Sequence, residues 1–454
     1  MIVAKFGGSS LADTQRIINA AKILLEIKGE SEVVSVVSAV GDTTDFLIDA
    51  VKNAGKIDIE KTVDELYSSH HKILGQIKTT IDEEDEKKLK SFCSSVKQRL
   101  VLVNQQGMAK PEDIDYIGGF GEKFSAFFLS CAIEQLGFKS VVLQGDDNLI
   151  FTDDNFNNAD VFFDRTNDAL KNKIAPLLKE NIVVFTGFVG TTLDNRTTTL
   201  GRGSSDYIAS IIGAALDSEE IRIYTDVDGI MTADPRIVKR AKTISKMDFN
   251  EMSELATFGA RVLHPKTIEP AMKKDICVKV INSFNPSSFT EIFRKNTKGN
   301  TTVKAVSSNR DITILNINST RMLNSFGFMA KAFNIFLEEE VSVDMVSTSE
   351  VNISLSINKC VSEEKVQKVV DKLSVFSCTT LEKNKAIICV IGEGLKHRHG
   401  VAGKVFSIMG NNKVNVEMIS QGASEINIAF VVDNKDEKKA VIALHDELIN
   451  GSDN

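Results

Sequence analysis

Ile2–Phe6 is a short apolar run that stops at Gly7-Gly8-Ser9-Ser10, after which Ile17, Ala20, Ala21 and Leu24 recur with helical spacing from Leu11 to Ile27, ending at Gly29. Val33–Val37 is a second β-branched run, closed by Ser38-Ala39-Val40-Gly41. Strand, glycine turn, helix and strand in that order make a βαβ unit, whose two strands lie parallel in one sheet. The alternation resumes after Pro111, with strand-like runs at Ser140–Leu143, Ile182–Phe185, Glu220–Thr225 and Cys277–Ile281 and helix-like segments at Glu122–Gln135 and Ser205–Leu216. The expected fold class is therefore α/β, an open and mainly parallel, doubly wound sheet over residues 1–295. Asp45 to Gln106 reads as helical, and Asp82-Glu83-Glu84-Asp85-Glu86-Lys87-Lys88 within it as a solvated helix face or a connection between helices. Asn285-Pro286-Ser287-Ser288 and Lys298-Gly299-Asn300 read as the way out of the sheet.

A chain of 454 residues, 42% hydrophobic, is too long for one core and predicts two or three domains. Its formal net charge of −8 argues against a nucleic-acid or anionic-membrane partner, since both require clustered positive charge. No apolar run approaches the ~18 residues that span a bilayer. Met1 leads straight into a strand with Lys5 inside it, so no secretory leader is expected. Cys93, Cys131, Cys277, Cys360, Cys378 and Cys389 have neither CxxC nor metal-type spacing, which predicts reduced, packed thiols and a cytoplasmic location.

The C-terminal part contains an internal repeat. A strand at Ile312–Ile317, a helix at Gly327–Phe336 and a strand pair at Ser342–Ser354 are followed, in the same order, by Ile387–Ile391, Gly400–Met409 and Val414–Ala429. Gly327 and Gly400, Lys331 and Lys404, and Met345 and Met418 are each 73 residues apart. Glu350-Val351-Asn352-Ile353 is answered, two residues late, by Glu425-Ile426-Asn427-Ile428. The doubled unit resembles paired ACT domains, α+β modules of ferredoxin-like type that commonly bind free amino acids. The expected units are 308–380 and 385–454, with nesting of one in the other left open.

Three glycine-bearing segments carry the chemistry. In Lys5-Phe6-Gly7-Gly8-Ser9-Ser10, glycine allows backbone N–H groups to approach a phosphate without a Cβ between them, and the next helix directs its positive end there. Lys5 can neutralise a phosphoryl group in transfer. The segment is neither a Walker A motif nor a dinucleotide fingerprint, and such a turn taken alone is as well explained as a plain turn. In Gly201-Arg202-Gly203-Ser204-Ser205-Asp206, an arginine able to fork onto a carboxylate or phosphate precedes an acid in a first helical turn, where Ser205 or Asp206 would also serve as ordinary capping residues. Tyr224-Thr225-Asp226-Val227-Asp228-Gly229-Ile230-Met231-Thr232-Ala233-Asp234-Pro235-Arg236 leaves a strand as a polar loop, at the sheet edge where such folds bind ligands. It lacks the rest of a calcium loop.

Together with Val37-Ser38-Ala39-Val40-Gly41-Asp42-Thr43-Thr44-Asp45, Phe120-Gly121-Glu122-Lys123-Phe124 and Ala260-Arg261-Val262-Leu263-His264-Pro265, these segments strongly resemble the aspartate kinases of the amino-acid-kinase fold, from Lys5 through the tail repeats. The resemblance implies ATP-dependent phosphorylation of the β-carboxylate of L-aspartate to 4-phospho-L-aspartate, the first step towards lysine, threonine and methionine. It implies Lys5, Arg202 and Asp206 as catalytic, Lys5 stabilising the γ-phosphoryl group, Asp206 holding Lys5 and Arg202 gripping the substrate. Ser38, Thr43, Thr44, Asp45 and Glu122 are implied to line the aspartate pocket with Arg202, Glu122 facing the ammonium group. Gly7, Gly8, Ser9, Thr225, Asp226, Met231, Arg236, Arg261 and Val262 are implied in the nucleotide pocket beside Lys5, and Thr152, Asp153 and Phe188 match further active-site positions. Mg²⁺ is implied to ride on the ATP phosphates, with no protein metal ligand assigned. Three positions depart from the family: Ser204 where glycine is common, Met231 where some members carry an aromatic residue, and Arg261 where lysine is frequent. His264, before Pro265, reads as structural.

Val343-Asp344-Met345-Val346-Ser347-Thr348-Ser349-Glu350 resembles the effector stretch of lysine-inhibited aspartate kinases, which implies Met322, Asp344, Ser347, Thr348, Ser349 and Glu350 around an amino acid such as L-lysine, with threonine the alternative. Ser420-Gln421-Gly422-Ala423-Ser424 lacks the paired acids and reads as a dimer-forming partner. The family implies a homodimer through the ACT units, or a tetramer. The rival readings are another acyl-phosphate-forming amino-acid kinase, acting on glutamate for example, and a non-catalytic amino-acid-binding regulator.

Overall fold

The computed structural model describes residues 1–201, 203–259, 263–294, 302–323, 326–396, 398–422 and 426–450. The chain divides into two compact units: Met1–Ile230 with Ser245–Met247 and Leu263–Arg294, and Met231–Ile244 with Asp248–Val262 and Lys295–Asn454.

The first unit is built on β1 (Ile2–Phe6), β2 (Val33–Val37), β3 (Ser140–Leu143), β4 (Ile182–Thr186), β5 (Val189–Thr191), β6 (Thr197–Thr199), β7 (Glu220–Thr225), β8 (Lys246–Asp248), β9 (Cys277–Asn282) and β10 (Asn285–Phe293). Among the described residues, eight of these join in the order β3-β4-β2-β1-β7-β9-β10-β8, while β5 and β6 form a separate hairpin. From β3 to β9 the pairing is parallel. Every residue of β1, β2 and β4 is buried, as unbroken Val/Ile runs must be when both sheet faces are covered. The chain leaves β1 towards β2 and returns on its other side at β7, which makes β1 the point where strand order reverses. Ligand crevices in open α/β sheets form at the carboxyl ends of such strands. Phe6 and Tyr224, in register at those ends, stack with centroids 4.8 Å apart.

The helices of this unit are α1 (Thr14–Glu30), α2 (Thr43–Lys52), α3 (Ile59–Ile77), α4 (Glu83–Gln106), α5 (Pro111–Gly118), α6 (Phe120–Gln135), α7 (Phe163–Ile174), α8 (Ser204–Ala215) and, after α9 (Phe249–Thr257) of the second unit, α10 (Pro265–Lys273). Two segments differ from their sequence expectation. The first helix starts at Thr14 rather than Leu11, because a 3-10 turn occupies Gly8–Leu11 and Asp13 then caps α1 by accepting from the Arg16 N–H. Asn285–Phe293 is a strand antiparallel to β9 rather than an exit loop: pairing is interrupted between Asn285 and Phe289, where Pro286 cannot donate, and then resumes. Lys298–Asn300 lies outside the described residues. The acidic run starts α4, with Asp82 as N-cap and four acids in the first turn complementing the helix dipole, although Asp85 is buried against Lys78 instead of solvated.

The second unit contains β11 (Ala305–Asn318), β12 (Val346–Thr348), β13 (Asn352–Ile357), β14 (Cys378–Ile391), β15 (Met418–Ser420) and β16 (Asn427–Asp433), in the order β12-β13-β11-β14-β16-β15, with α11 (Phe328–Glu338), α12 (Glu363–Ser374), α13 (Val401–Asn411) and α14 (Glu437–Leu448). The long strands β11 and β14 pair along their whole length, yet β13 pairs only with Thr313–Asn318 of β11 and β16 only with Lys385–Ile391 of β14. Each long strand thus gives half of itself to each repeat, and the two repeats interleave. The change-over is marked by irregular pairing from Asn309 to Ile314 and by Asp311 and Asn384 at φ +61° and +59°. Gly327 and Gly400 occupy the same place in the two repeats, capping α11 and α13 at φ +76° and +80°, a conformation that costs other residues about 1 kcal/mol. One core gathers Leu315, Phe328, Phe336, Leu355 and Leu373; the other gathers Ile388, Val405, Met409, Phe430 and Leu444.

Candidate active site

A cleft of about 270 Å³ opens at the carboxyl ends of β1 and β2, lined by Lys5, Gly8, Ser38, Ala39, Gly41, Thr44, Glu122, Phe188, Gly201, Gly203, Ser204, Ser205 and Asp206. β1 delivers Lys5, whose Nζ lies 2.7 Å from Asp206 Oδ1 in the first turn of α8, both side chains almost nine-tenths buried. Gly203 caps α8 at φ +73°. The left-handed backbone falls on Gly201 and Gly203, while Ser204 begins the helix, so the serine departure restricts nothing. In front of the pair, a Cβ on Gly7 would lie 3.6 Å from Lys5 Nζ and one on Gly8 3.2 Å from the Ala39 carbonyl: the turn is a cradle that side chains would fill. Ser9 presents its carbonyl to Arg16 Nη1, which donates to it at 2.5 Å.

Glu122 comes from the first turn of α6, whose leading thirteen residues are almost all buried. Its Oε1 accepts from the Ala39 N–H at 3.1 Å, while Oε2 is buried with no hydrogen-bond partner, as is Thr44 Oγ1 in the same cleft. Burial pushes the Glu122 carboxyl up to about 8, against the pull of its backbone hydrogen bonds and of the Lys5 charge. The cleft lining thus holds a buried carboxylate oxygen and a buried hydroxyl whose hydrogen-bonding capacity the protein itself leaves unused. Gly121 makes this approach possible, since a Cβ there would overlap Thr44 Oγ1 and lie 2.8 Å from Ala39 Cβ.

Most of the other implied residues stand outside this lining, Phe188 excepted. Thr43 donates to the Val40 carbonyl at 2.7 Å, and Asp45 is exposed on α2. Thr225 ends β7, donating weakly to Asp226 at 3.3 Å, and its carbonyl accepts from the Ser283 N–H. Thr152 is buried against the Thr198 hydroxyl, and Asp153 accepts from the Asp160 N–H. Phe188 lines the cleft at φ +68°, a strained backbone for a bulky residue. Met231 and Arg236 belong to the second unit, where Met231 bridges to Thr243 and the exposed Arg236 pairs with Asp234 at 2.7 Å. Arg202, Arg261 and Val262 lie outside the described residues. His264 caps α10 by accepting from the Lys266 N–H, a structural role. The Ala39 N–H and the close approach at Gly121 escaped sequence reading, because a backbone donor leaves no residue-type signal.

In the second unit, a cleft of about 670 Å³ is lined by Met322, Leu323, Phe326, Gly327, Phe328, Met329, Ser349 and Glu350. Ser349 makes a tight turn, exchanging backbone and side-chain bonds with Asn352. Ser347 and Thr348 lie on the edge strand β12, and half-buried Asp344, its carboxyl raised by burial, accepts from Asn358 at 3.5 Å. Ala423 and Ser424 of the second repeat, and Glu425, lie outside the described residues.

Against known proteins, residues 1–282 match the model of the amino acid kinase family, and residues 315–374 and 388–448 each match an ACT domain model. The chain is 36% identical over 461 residues to Arabidopsis thaliana chloroplastic aspartokinase 3, covering 98% of this chain and 80% of that protein. It superposes on Escherichia coli aspartokinase III, solved with aspartate and ADP, with a TM-score of 0.83 at 30% identity over 99% of each chain. The form of that enzyme solved with lysine and aspartate gives a TM-score of 0.80 at 32% identity, again over 99% of each. No helix among the described residues is long and apolar enough to cross a membrane. An α/β kinase fold followed by two interleaved ACT units, with the lysine–aspartate pair at the head of its cleft, places the chain in the aspartokinase family: it is an aspartate kinase of the amino acid kinase family.

Proposed function

We propose that this protein transfers the γ-phosphoryl group of ATP to the β-carboxylate of L-aspartate, giving 4-phospho-L-aspartate and ADP, and is inhibited by L-lysine bound at the first ACT unit. The observation that carries the reading is the buried Lys5–Asp206 pair beside a cleft in which Glu122 Oε2 and Thr44 Oγ1 are left open. The β-carboxylate, with an ordinary pKa near ~4, is already a nucleophile at neutral pH, so no general base is required. One of its oxygens forms the new bond to the γ-phosphorus as the bond to the bridging oxygen of ADP breaks. Lys5 offsets the charge that grows on the equatorial oxygens, Asp206 holds Lys5 in place, and the Gly7–Ser9 turn surrounds the phosphates. Glu122 and Thr44 take the substrate ammonium, Arg202 its α-carboxylate, and Ser38, Thr43 and Asp45 complete that wall. Thr225, Asp226, Met231, Arg236, Arg261 and Val262 take the remainder of the nucleotide.

Among the described residues no three acids, histidines or cysteines cluster as a metal site, and Asp206 is committed to Lys5. That donor set fits Mg²⁺ held by the phosphates of ATP, where it would shield their charge. Residues 1–295 act as the catalytic domain, and 308–380 and 385–454 as ACT units sharing β11 and β14. Lysine lies among Met322, Asp344 and Ser347–Glu350, the acids meeting its ammonium groups. The protein works as a homodimer through its ACT units, or a tetramer, in the cytoplasm. The match to an enzyme solved with lysine supports the effector assignment.

The deciding experiment measures ADP release with ATP and Mg²⁺ in the presence of aspartate or glutamate, with and without lysine. Turnover of aspartate that lysine suppresses is expected. Preference for glutamate, or no turnover of either, overturns the substrate assignment.

A further inference from the structure

We propose that Asp115 is a positioning residue for the aspartate substrate, acting through the loop that runs from Thr199 to Asp206. The inference rests on the aspartate-kinase reading above. Asp115 lies on α5 and is 1% exposed, and among the described residues no lysine, arginine or histidine pairs with it. Three donors converge on its carboxylate: the Asn157 N–H and the Thr199 N–H on Oδ2, each at 2.9 Å, and the Thr199 hydroxyl on Oδ1 at 2.7 Å.

Those donors belong to two chain segments, one carrying Asn157 and the other Thr199, that lie together beside Gly201. Thr199 is the last residue of β6, two before Gly201, and Asn157 sits in the loop that walls Gly201 from the other side. Gly201 has φ +80°, and a Cβ on it would lie 2.8 Å from Asn158 Oδ1 and 3.4 Å from the Asn157 carbonyl. The Ala159 N–H also donates to the Thr199 carbonyl at 2.9 Å, and the Leu200 N–H to the Phe188 carbonyl at 3.1 Å. Asp115 therefore joins both flanks of the turn at Gly201, which lines the cleft, although Asp115 itself is not among the lining residues.

Burying an unpaired carboxylate is unfavourable, and burial raises the Asp115 carboxyl above its ordinary range accordingly. An apolar residue at this position would leave three donors unanswered in the interior. Because Thr199 stands two residues before Gly201, which lines the cleft, slack at this joint shifts the cleft wall at Gly201. Asp206 is held separately by α8 and by Lys5. The joint thus governs aspartate binding rather than nucleotide binding.

The test compares Asp115→Ala, Asp115→Asn and Thr199→Val with the full-length wild type, measuring KM for aspartate and KM for ATP separately alongside the melting temperature. Asparagine can answer both N–H donors through its carbonyl and donate to the Thr199 hydroxyl through its amide, so it should restore function. Asp115→Ala is expected to raise the aspartate KM about tenfold or more with ATP KM within about twofold, Thr199→Val to raise it several-fold, and Asp115→Asn to stay within about threefold of wild type. If Asp115→Ala does not fold, Thr199→Val decides by the same split. Wild type active on aspartate, with aspartate KM unmoved in the folded variants or both KM values raised together, overturns the inference alone. Wild type inactive on aspartate overturns the functional reading and this inference with it.

Discussion

Lys5 Nζ and Asp206 Oδ1 lie 2.7 Å apart although 201 positions separate them in the chain, and both side chains are almost fully withdrawn from water. An ion pair buried to this degree is a weak source of net stability, because desolvation cancels most of the attraction. Its presence in the lining of the cleft beside the Gly7–Gly8 turn is explained by what it presents to a ligand.

Lys5→Ala is expected to lower kcat by about 100-fold or more while aspartate KM changes little, since the lost charge matters most in the transition state. Asp206→Ala should combine a similar kinetic loss with destabilisation of about 3 kcal/mol or more, because it strands a buried cation. Steady-state kinetics and denaturant melts check both. Equal damage to kcat/KM and stability from Lys5→Ala would reduce the pair to a structural role.

Glu122 sets a pH dependence whose sign follows from its burial. Its carboxyl titrates at about 8 in the folded, ligand-free protein and at an ordinary value when unfolded, so between those values the native state holds the extra proton. Stability of the free enzyme should fall as pH rises through that window. Aspartate brings an ammonium group to Oε2, so binding near pH 6.5 should release close to one proton per site. Calorimetry in two buffers of different ionisation enthalpy reads this number. Glu122→Gln should abolish the release, and identical heats in both buffers for the wild type would refute the assignment.

Gly121→Ala tests close packing. Alanine favours a helix by about 1 kcal/mol over glycine, but the added methyl would overlap Thr44 and crowd Ala39, an overpacking cost of about 1–3 kcal/mol. The expected net result is lower stability with a raised aspartate KM. A more stable variant with normal KM would show that the pocket wall yields.

Glu251 in α9 is fully buried, accepts from the Glu393 N–H at 2.7 Å and the Asp248 N–H at 3.0 Å, and pairs with Lys304 at 2.6 Å. Glu251→Ala leaves Lys304 and two amides unanswered and is expected to destabilise the second unit by about 3–5 kcal/mol. Hydrogen exchange should rise in residues 249–257; unchanged protection there would rule the bonds unimportant.

Glu350→Ala removes an acid from the cleft beside Met322 and should weaken lysine inhibition by about tenfold or more at unchanged uninhibited kcat. Inhibition curves decide it, and an unaltered midpoint would move the effector elsewhere.

Much of this was legible from the chain. The Val33–Val37 run, the glycine turn after Phe6 and the offset between Gly327 and Gly400 are local signals, and each marks an element found where expected. The start of α1 is ambiguous in the sequence because Leu11 fits both a helical stripe and the buried end of a 3-10 turn, and only Asp13 as cap separates them. The strand at Asn285–Phe293 is hidden in the sequence because Pro286 and two serines mask a bulge.

Local periodicity, turn chemistry and the repeat come from interactions a few residues apart, and these the sequence alone determined: an alternating α/β kinase core followed by a doubled βαββ unit. Tertiary structure decided which distant segments meet. β1 pairs with β7 across more than 200 residues, Glu122 is driven into a site where one oxygen stays unanswered, and β11 and β14 each split between two repeats. Those outcomes depend on burying apolar faces and satisfying polar groups over the whole chain at once, a sum that no short window of residues contains.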